Sequence, residues 1–448
     1  MLAPSSASAR RRRRGLLPAN FVTHFLWIAG AIVAAMVAAF LYVTAAVNFV
    51  ANQQDVVDSV PAVGSDPSAF LRTLHGAAGE GFTTGNDVAL YQNGDQIFPP
   101  MLAAIRESRS TVHFSSYILW SGEIAERFGD AFCDAARRGV VVRLLIDSEG
   151  SAHQLRAALV QRLRDAGCHF AWYHAAQWFD LTKYNRRTHR RILVVDGAIA
   201  FTGGAGIADL WLGDADSPAH WRDTHARVTG PVVRAFQAGF TDSWNQATRE
   251  LLLHERDFPR LASRGETTAT AVISTPAGGS SPAQRVMAAC IAGASRTLRV
   301  TNAYFVPTPA FVRALCAARA RGVVVTIIVP GPHHNKPFVR RASRHAWPAL
   351  LASGVAIHEF QPAMVHAKTL TVDGALLLVG SINFDPRSFS LNAECGIVVA
   401  SQRLVAELDA ASDADISRSR RITAAEVAAR SLGSRAIDAV CYWLRAEL

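Results

Sequence analysis

The stretch His189-Arg190-Arg191-Ile192-Leu193-Val194-Val195-Asp196-Gly197 returns later in the chain as His366-Ala367-Lys368-Thr369-Leu370-Thr371-Val372-Asp373-Gly374. Both copies set a cation two residues after a His and an Asp five residues after the cation. Both reach a pair of small residues fourteen positions past the His, Gly203-Gly204 and Gly380-Ser381. The residues between cation and Asp are rich in β-branched side chains and read as a short strand closed by an Asp-Gly turn. Side chains two apart in an extended segment share a face, so His189 is expected beside Arg191 and His366 beside Lys368. If the copies pack as pseudo-symmetric partners, two imidazoles and two cations meet in one cleft.

The repeat widens on either side of this motif. Ser108-Arg-Ser-Thr-Val-His-Phe-Ser-Ser-Tyr117 resembles Ser295-Arg-Thr-Leu-Arg-Val-Thr-Asn-Ala-Tyr304, and an apolar-periodic helix follows each, over 124–138 and 309–321. Arg138-Gly-Val-Val-Val-Arg-Leu-Leu-Ile146 and Arg321-Gly-Val-Val-Val-Thr-Ile-Ile-Val329 then give near-continuous apolar strands of the kind covered on both faces. Strand, helix, strand, helix and motif strand in each half predict two pseudo-symmetric α/β/α sandwich halves. The first half carries a small insertion near 174–184, within an aromatic stretch that includes Trp172, Tyr173, Trp178 and Phe179. Those rings have two readings, an exposed loop dipping into a membrane interface or ordinary core.

Ahead of the repeat, residues 19–53 carry no formal charge, long enough for one transmembrane helix across a bilayer core of roughly 30 Å. Arg10 to Arg14 precede this run and Asp55 and Asp58 follow it, with no cation until Arg72. The positive-inside rule then sets the N-terminus in the cytoplasm and the rest outside, on the periplasmic side of a bacterial inner membrane. The competing reading is a cleaved signal peptide, whose apolar region spans only about 7–15 residues. The expected organisation is a basic N-terminus over 1–20, an anchor over 21–50 and a linker over 51–68. One half then occupies 69–265 and the other 266–448, ending in a helix that docks on the domain or lies on the membrane.

Net charge is +10, and five of those charges are the arginine run. No basic stripe interleaved with aromatics is present, which argues against nucleic acid as a partner. The remainder suits a protein beside anionic head groups. Six widely spaced cysteines form no CxxC and no Cys/His cluster, so no metal site is expected and no disulfide pair is named. Cys133 and Cys316 fall on matching helices, where buried thiols are the ordinary explanation.

Two histidines with two cations suit phosphodiester exchange without a metal. One imidazole attacks phosphorus and forms a covalent phosphohistidine. The other protonates the leaving alkoxide and then deprotonates the incoming alcohol or water. The cations bind the equatorial oxygens as charge accumulates.

The second half carries His366, Lys368, Asp373, Gly380-Ser381, Asn383, Asp385-Pro-Arg387-Ser-Phe and Leu391-Asn392-Ala-Glu394. This run resembles the signature of the phospholipase D superfamily. Thr301-Asn-Ala-Tyr-Phe-Val-Pro307, Val365-His-Ala-Lys368 and Trp221-Arg-Asp-Thr224 are most similar to bacterial cardiolipin synthases, a likeness running over about 91–399. The resemblance implies a phosphatidyltransferase with no cofactor, acting on phosphatidylglycerol to make cardiolipin. It also implies an acid in each half that orients an imidazole: Glu394, 28 residues past His366, and Asp223, 34 past His189. His189 would be the nucleophile, and Gly204, Ser381 and Asn383 would bind substrate. Asp196 and Asp373 complete the catalytic motif, and they are expected to hold the strand end and the cations in place.

The first half departs from that signature at Arg191, where the second has Lys368, and at Gly206, where the second has Asn383. Arg keeps the charge but not the compact shape of an ammonium. These departures motivate a phospholipid-binding pseudoenzyme as an alternative reading; hydrolytic phospholipase D action or another phosphodiesterase is the other, because the motif alone does not separate water from an alcohol acceptor. Head-group preference and oligomeric state are left open.

Overall fold

A computed structural model describes residues 19–51, 60–173, 186–275 and 280–445. The chain divides into two compact units, Met1–Val47 and Asn48–Leu448. Helix Ala19–Ala51 contains the apolar stretch Thr23–Ala45 of 23 residues. At 1.5 Å per residue that stretch is about 35 Å long, sufficient to cross a bilayer core. The Arg10 to Arg14 run lies outside the described residues.

In the second unit the repeat becomes two sets of seven strands in matching order. The first set comprises β1 (Thr83–Gln92), β2 (Thr111–Ser116), β3 (Val141–Asp147), β4 (His169–Tyr173), β6 (Ile192–Val195), β7 (Ile199–Gly203) and β8 (Thr224–Thr229). The two-residue strand β5 (Arg187–Thr188) lies off this path. The second set comprises β9 (Thr267–Ser274), β10 (Thr297–Asn302), β11 (Val324–Pro330), β12 (Ala356–Phe360), β13 (Lys368–Val372), β14 (Leu376–Gly380) and β15 (Asn392–Ala400). The first half runs β4-β3-β2-β6-β7-β8-β1 and the second β12-β11-β10-β13-β14-β15-β9, joined where β1 pairs antiparallel with β9. Only β2-β3-β4 and β10-β11-β12 are parallel in these paths. These are the pairs that need helical crossovers, and helices Glu123–Arg137 and Pro309–Ala320 supply the first crossover of each half.

Three buried clusters define the layers. One packs Phe98, Phe128 and Phe132 outside the first sheet, and another packs Phe311, Leu315 and Trp347 outside the second. The third is shared: Val194, Val228 and Phe240 of the first half meet Val379, Ile397 and Leu404 of the second. A common core of this kind holds the halves in one register, which a site built from both of them requires.

The Asp-Gly turns form as the sequence implies. Asp196 and Gly197 have φ of 52° and 61°, Asp373 and Gly374 have 55° and 70°, and Ala198 and Ala375 close the turns by N–H bonds to Val195 and Val372. Positive φ at both central positions is the two-residue hairpin whose twist matches that of its strands.

Two expectations change, the free linker and the half to which its following helix belongs; two open readings are decided. The segment from Val60 onward is packed rather than a free linker; residues 52–59 lie outside the described residues. Val63 is buried, and helix Pro67–Ala78 buries Phe70, Leu74 and Ala78 in the second half's outer core, although its sequence position assigns it to the first half. Among the aromatics, Tyr173 is buried with its hydroxyl 2.9 Å from Gln246 and Trp172 packs edge-on against Phe170, whereas Trp178 and Phe179 lie outside the described residues. The C-terminal helix Leu432–Trp443 docks through Asp438, Cys441 and Tyr442 yet leaves Ile437, Val440 and Trp443 exposed. Cys133 is buried and Cys316 half-buried, and all six thiols are free.

Candidate active site

The two motif histidines reach one cavity of about 400 Å³, whose walls include His189, Arg191, Trp221, His366 and Asn383. Backbone pairing between the halves puts them there. The N–H of His189 donates to the carbonyl of Ala393 at 2.8 Å, and β5, just before it, runs parallel to the start of β15. Likewise the N–H of His366 donates to the carbonyl of Arg222 at 2.7 Å. Each histidine is thus tied to the acid-bearing segment of the opposite half.

The acids consequently pair crosswise. Glu394 has both oxygens 3.0 Å from His189 Nδ1, and Asp223 Oδ2 lies 2.9 Å from His366 Nδ1. Reading each acid with the histidine of its own half, as spacing suggests, gives the wrong partners. With Nδ1 on a carboxylate, Nε2 of His189 is left for chemistry, whereas Nε2 of His366 also has Lys368 Nζ at 3.0 Å.

The acids differ in support. Asp223 accepts from Trp211 Nε1 at 2.9 Å and from the N–H of Thr224 at 2.8 Å. Burial works against its charge, but His366 and Lys368 outweigh it and hold the carboxyl below its usual range. Glu394 accepts from the hydroxyls of Ser381 and Ser388, the latter at 2.7 Å, yet burial pushes it up to about 7.

Both imidazoles are held well below their usual pKa, first by burial. His189 is further depressed by Arg191, Lys368, Lys336 and Arg387; His366 is further depressed by Lys368 and Arg191, with Asp223 acting in the opposite direction. Aromatic rings fix both: Tyr117 meets His189 edge-on at 5.3 Å, and Trp221 stacks on His366 at 5.4 Å.

The cations are placed differently. Lys368 Nζ lies 2.8 and 3.0 Å from the ring nitrogens of His366 and also donates to its carbonyl. Arg191 donates to the carbonyl of His189 at 2.8 Å, and its Nε has no partner. Asn383 borders the cavity with its amide oxygen unpartnered, open to a ligand.

Several sequence-derived assignments change. Asp196 and Asp373 are not beside the cations but beyond the far ends of β6 and β13. Asp196 accepts from the N–H groups of Arg109, Ser110 and Thr111, and Asp373 from those of Gly64, Ser295, Arg296 and Thr297. They clamp the start of β2 and β10 and touch no reacting group. Gly204 makes room rather than binding substrate: a Cβ there would meet Asp223 Oδ1 at 2.3 Å. Ser381 acts on Glu394 from the matching position. At Gly206 a Cβ would lie 2.8 Å from Ile118 and 3.2 Å from Trp211, so Ile118 first, with the ring that supports Asp223 behind it, leaves no room for an Asn there.

Sequence reasoning missed Asp147, whose carboxylate accepts from the N–H of Thr188 at 2.9 Å and so steadies the residue before His189. Burial raises its pKa to about 7. It also missed Arg190, fully buried with bonds to Gly239, Ser243, Ser274 and Thr275, and Lys336, which lines the cavity. Lysine's rarity was the available signal: the chain has three lysines, and Lys336 and Lys368 both stand at this site.

The sequence profile described as "Cardiolipin synthase, PLD-like domain" matches residues 101–210 and 287–416. Cardiolipin synthase of Oceanobacillus iheyensis is 32% identical over 355 residues, 79% of this chain and 74% of that protein. The chain belongs to the cardiolipin synthase family of the phospholipase D superfamily. Cardiolipin synthase A of Pseudomonas fluorescens, also in this family, is 32% identical over 374 residues, 83% of this chain and 77% of its own length. Among solved structures, the phosphatidylserine synthase of Haemophilus influenzae superposes with a TM-score of 0.63 at 13% identity, covering 84% of this chain and 100% of that one. That likeness concerns the fold. Family membership makes this protein a phosphatidyltransferase of phospholipid synthesis.

Proposed function

We propose that this enzyme makes cardiolipin from two phosphatidylglycerols and releases glycerol, through a phosphatidyl group held on His189. The observation that carries the reading is a pair of imidazoles in one cavity, each with Nδ1 on a carboxylate and each beside a cation. Nε2 of His189 attacks the phosphorus of the first lipid, and the leaving glycerol oxygen takes a proton from His366. A primary hydroxyl of the second lipid then gives its proton to His366 and attacks phosphorus, breaking the P–N bond. Four cations around His189 favour the neutral, nucleophilic ring, while ionised Asp223 works against burial and Lys368 to favour a proton on His366. Arg191, Lys368 and Asn383 would hold the equatorial oxygens.

The apolar helix suits a single-pass anchor with the arginine run in the cytoplasm and the two halves, 69–265 and 266–448, outside it. A reporter fused after Leu448 that is active only in the cytoplasm would overturn this orientation.

With purified full-length protein and labelled phosphatidylglycerol, cardiolipin and glycerol should appear in equal amounts. Phosphatidic acid without cardiolipin would sink the transferase reading. An acid-labile phosphatidyl adduct trapped on the enzyme should map to His189, and an adduct on His366 would reverse the roles.

A further inference from the structure

The cavity carries more positive charge than one reacting phosphate requires. Besides the groups flanking the two histidines, Arg187, Lys336 and Arg387 line the same walls. Two carboxylates share the lining. Glu149 lies 3.6 Å from Arg187, and Asp385 caps the short helix Pro386–Ser390 by accepting from the N–H of Ser388 at 2.7 Å. Neither forms an ion pair with Lys336 among the described residues. The Lys336 ammonium stands 5.7 Å over the ring of Tyr304, at the exposed N-terminal end of helix Pro337–Ala352. Partial desolvation and the charge of Arg387 lower its pKa, with Asp385 and Glu149 acting the other way, and a bound anion would relieve the repulsion. In a chain where 43 of 46 cationic residues are Arg, a lysine here supplies a compact point charge.

The histidines lie deep, at 6% and 4% exposure, whereas Lys336 is at the open rim. The reaction explains the need for a second anion site. Resting on the cardiolipin-forming reading, the acceptor is itself a phosphodiester, with its own phosphate three carbons from the attacking hydroxyl. That phosphate does not react and must be held away from the phosphorus on His189.

We propose that Lys336, with Arg387 and Arg187, forms a second anion subsite that binds the phosphodiester of the acceptor lipid and so selects it over water and neutral alcohols. The step balances as a displacement: the acceptor O–P bond forms, the His189 N–P bond breaks and the hydroxyl proton passes to His366. To this second step the subsite contributes position, through charge-assisted bonds to the bystander phosphate.

The test is competition for one intermediate. Full-length enzyme in mixed micelles is given labelled phosphatidylglycerol and 1-butanol, and the ratio of cardiolipin to phosphatidylbutanol is measured. Lys336→Gln should lower that ratio about tenfold or more, the loss of one charge-assisted bond to phosphate. Lys336→Arg should restore part of it, and Arg387→Gln should lower it independently. An unchanged ratio in both Gln variants, with cardiolipin still formed by the wild type, would overturn the subsite alone. Wild type yielding phosphatidylbutanol but no cardiolipin would overturn the transferase reading beneath it. Phosphatidylbutanol formation also reports that each variant is folded.

Discussion

The pairs His189–Glu394 and His366–Asp223 share one plan and differ in their electrostatics. In each, an imidazole is bonded through Nδ1 to a carboxylate from the other half, and a residue eight positions past the first small residue donates to that carboxylate. The donor is Trp211 on one side and Ser388 on the other. Around His366 the carboxylate stays ionised, and the ring is stacked on Trp221 with Lys368 at its nitrogens. Around His189 the carboxyl is raised to about 7 while four cations press on the imidazole. The two copies therefore differ in their acids: both rings are held well below the ordinary imidazole range, but only His366 has an ionised carboxylate drawing a proton towards it.

The largest effect should come from the acids. Asp223→Asn should reduce turnover of labelled phosphatidylglycerol by about 10²–10⁴-fold, the range for losing a general acid–base function. Glu394→Gln should cost about tenfold, because a carboxyl near neutrality is already partly protonated and an amide oxygen still accepts from Nδ1. Equal losses in the two variants would break the proposed division of labour.

A smaller effect should separate the cations. Lys368 is 1% exposed with its ammonium against the His366 ring, so Lys368→Arg must displace that ring and should lower kcat about a hundredfold. Arg191 is tied only to the His189 carbonyl and leaves its Nε unpaired, so Arg191→Lys should lose less than about tenfold. A collapse of Arg191→Lys would show that bidentate phosphate binding matters in the first copy and would sharpen the contrast between them.

What the sequence made legible follows from locality. The motif strands, the Asp-Gly turns and the crossover helices depend on neighbours along the chain, and helices Glu123–Arg137 and Pro309–Ala320 fall within one residue of their expected spans. Cross-half relations were hidden. The swap of Glu394 and Asp223 depends on β5 pairing with β15 and on the bond between His366 and Arg222, which no spacing within one half encodes. Helix Pro67–Ala78 crossed the expected boundary for the same reason: its apolar face is visible in sequence, but the surface it covers is not. Asp196 and Asp373 hold strand ends as expected but do not steady the cations, because a motif collects residues that recur together, whether they react or hold a turn. Gly204 reads as a substrate contact and Gly206 as a missing donor, although each is small because Asp223 or Ile118 needs the space.

The subtlest test of the two environments is stability against pH. Glu394 titrates at about 7 in the folded protein and near 4.5 when unfolded, so between those values the folded state binds the extra proton. By linkage, its contribution to stability is full below about pH 4.5 and is lost as pH rises through about 7. Glu394→Gln removes that loss. The variant's stability relative to wild type should therefore grow between pH 4.5 and 7, by on the order of 1–3 kcal/mol. The depressed histidines slope the opposite way, losing stability as pH falls, which is why the difference between variant and wild type is the quantity to read. Asp223 has the reverse sign: its stabilisation is present above about pH 4 and is lost only under more acidic conditions. Thermal unfolding of the detergent-solubilised protein should thus give a rising difference for Glu394→Gln and a flat one for Asp223→Asn over this window. Two flat differences would mean that Glu394 is ionised like Asp223, and the asymmetry of the pairs would then have to rest on the cations alone.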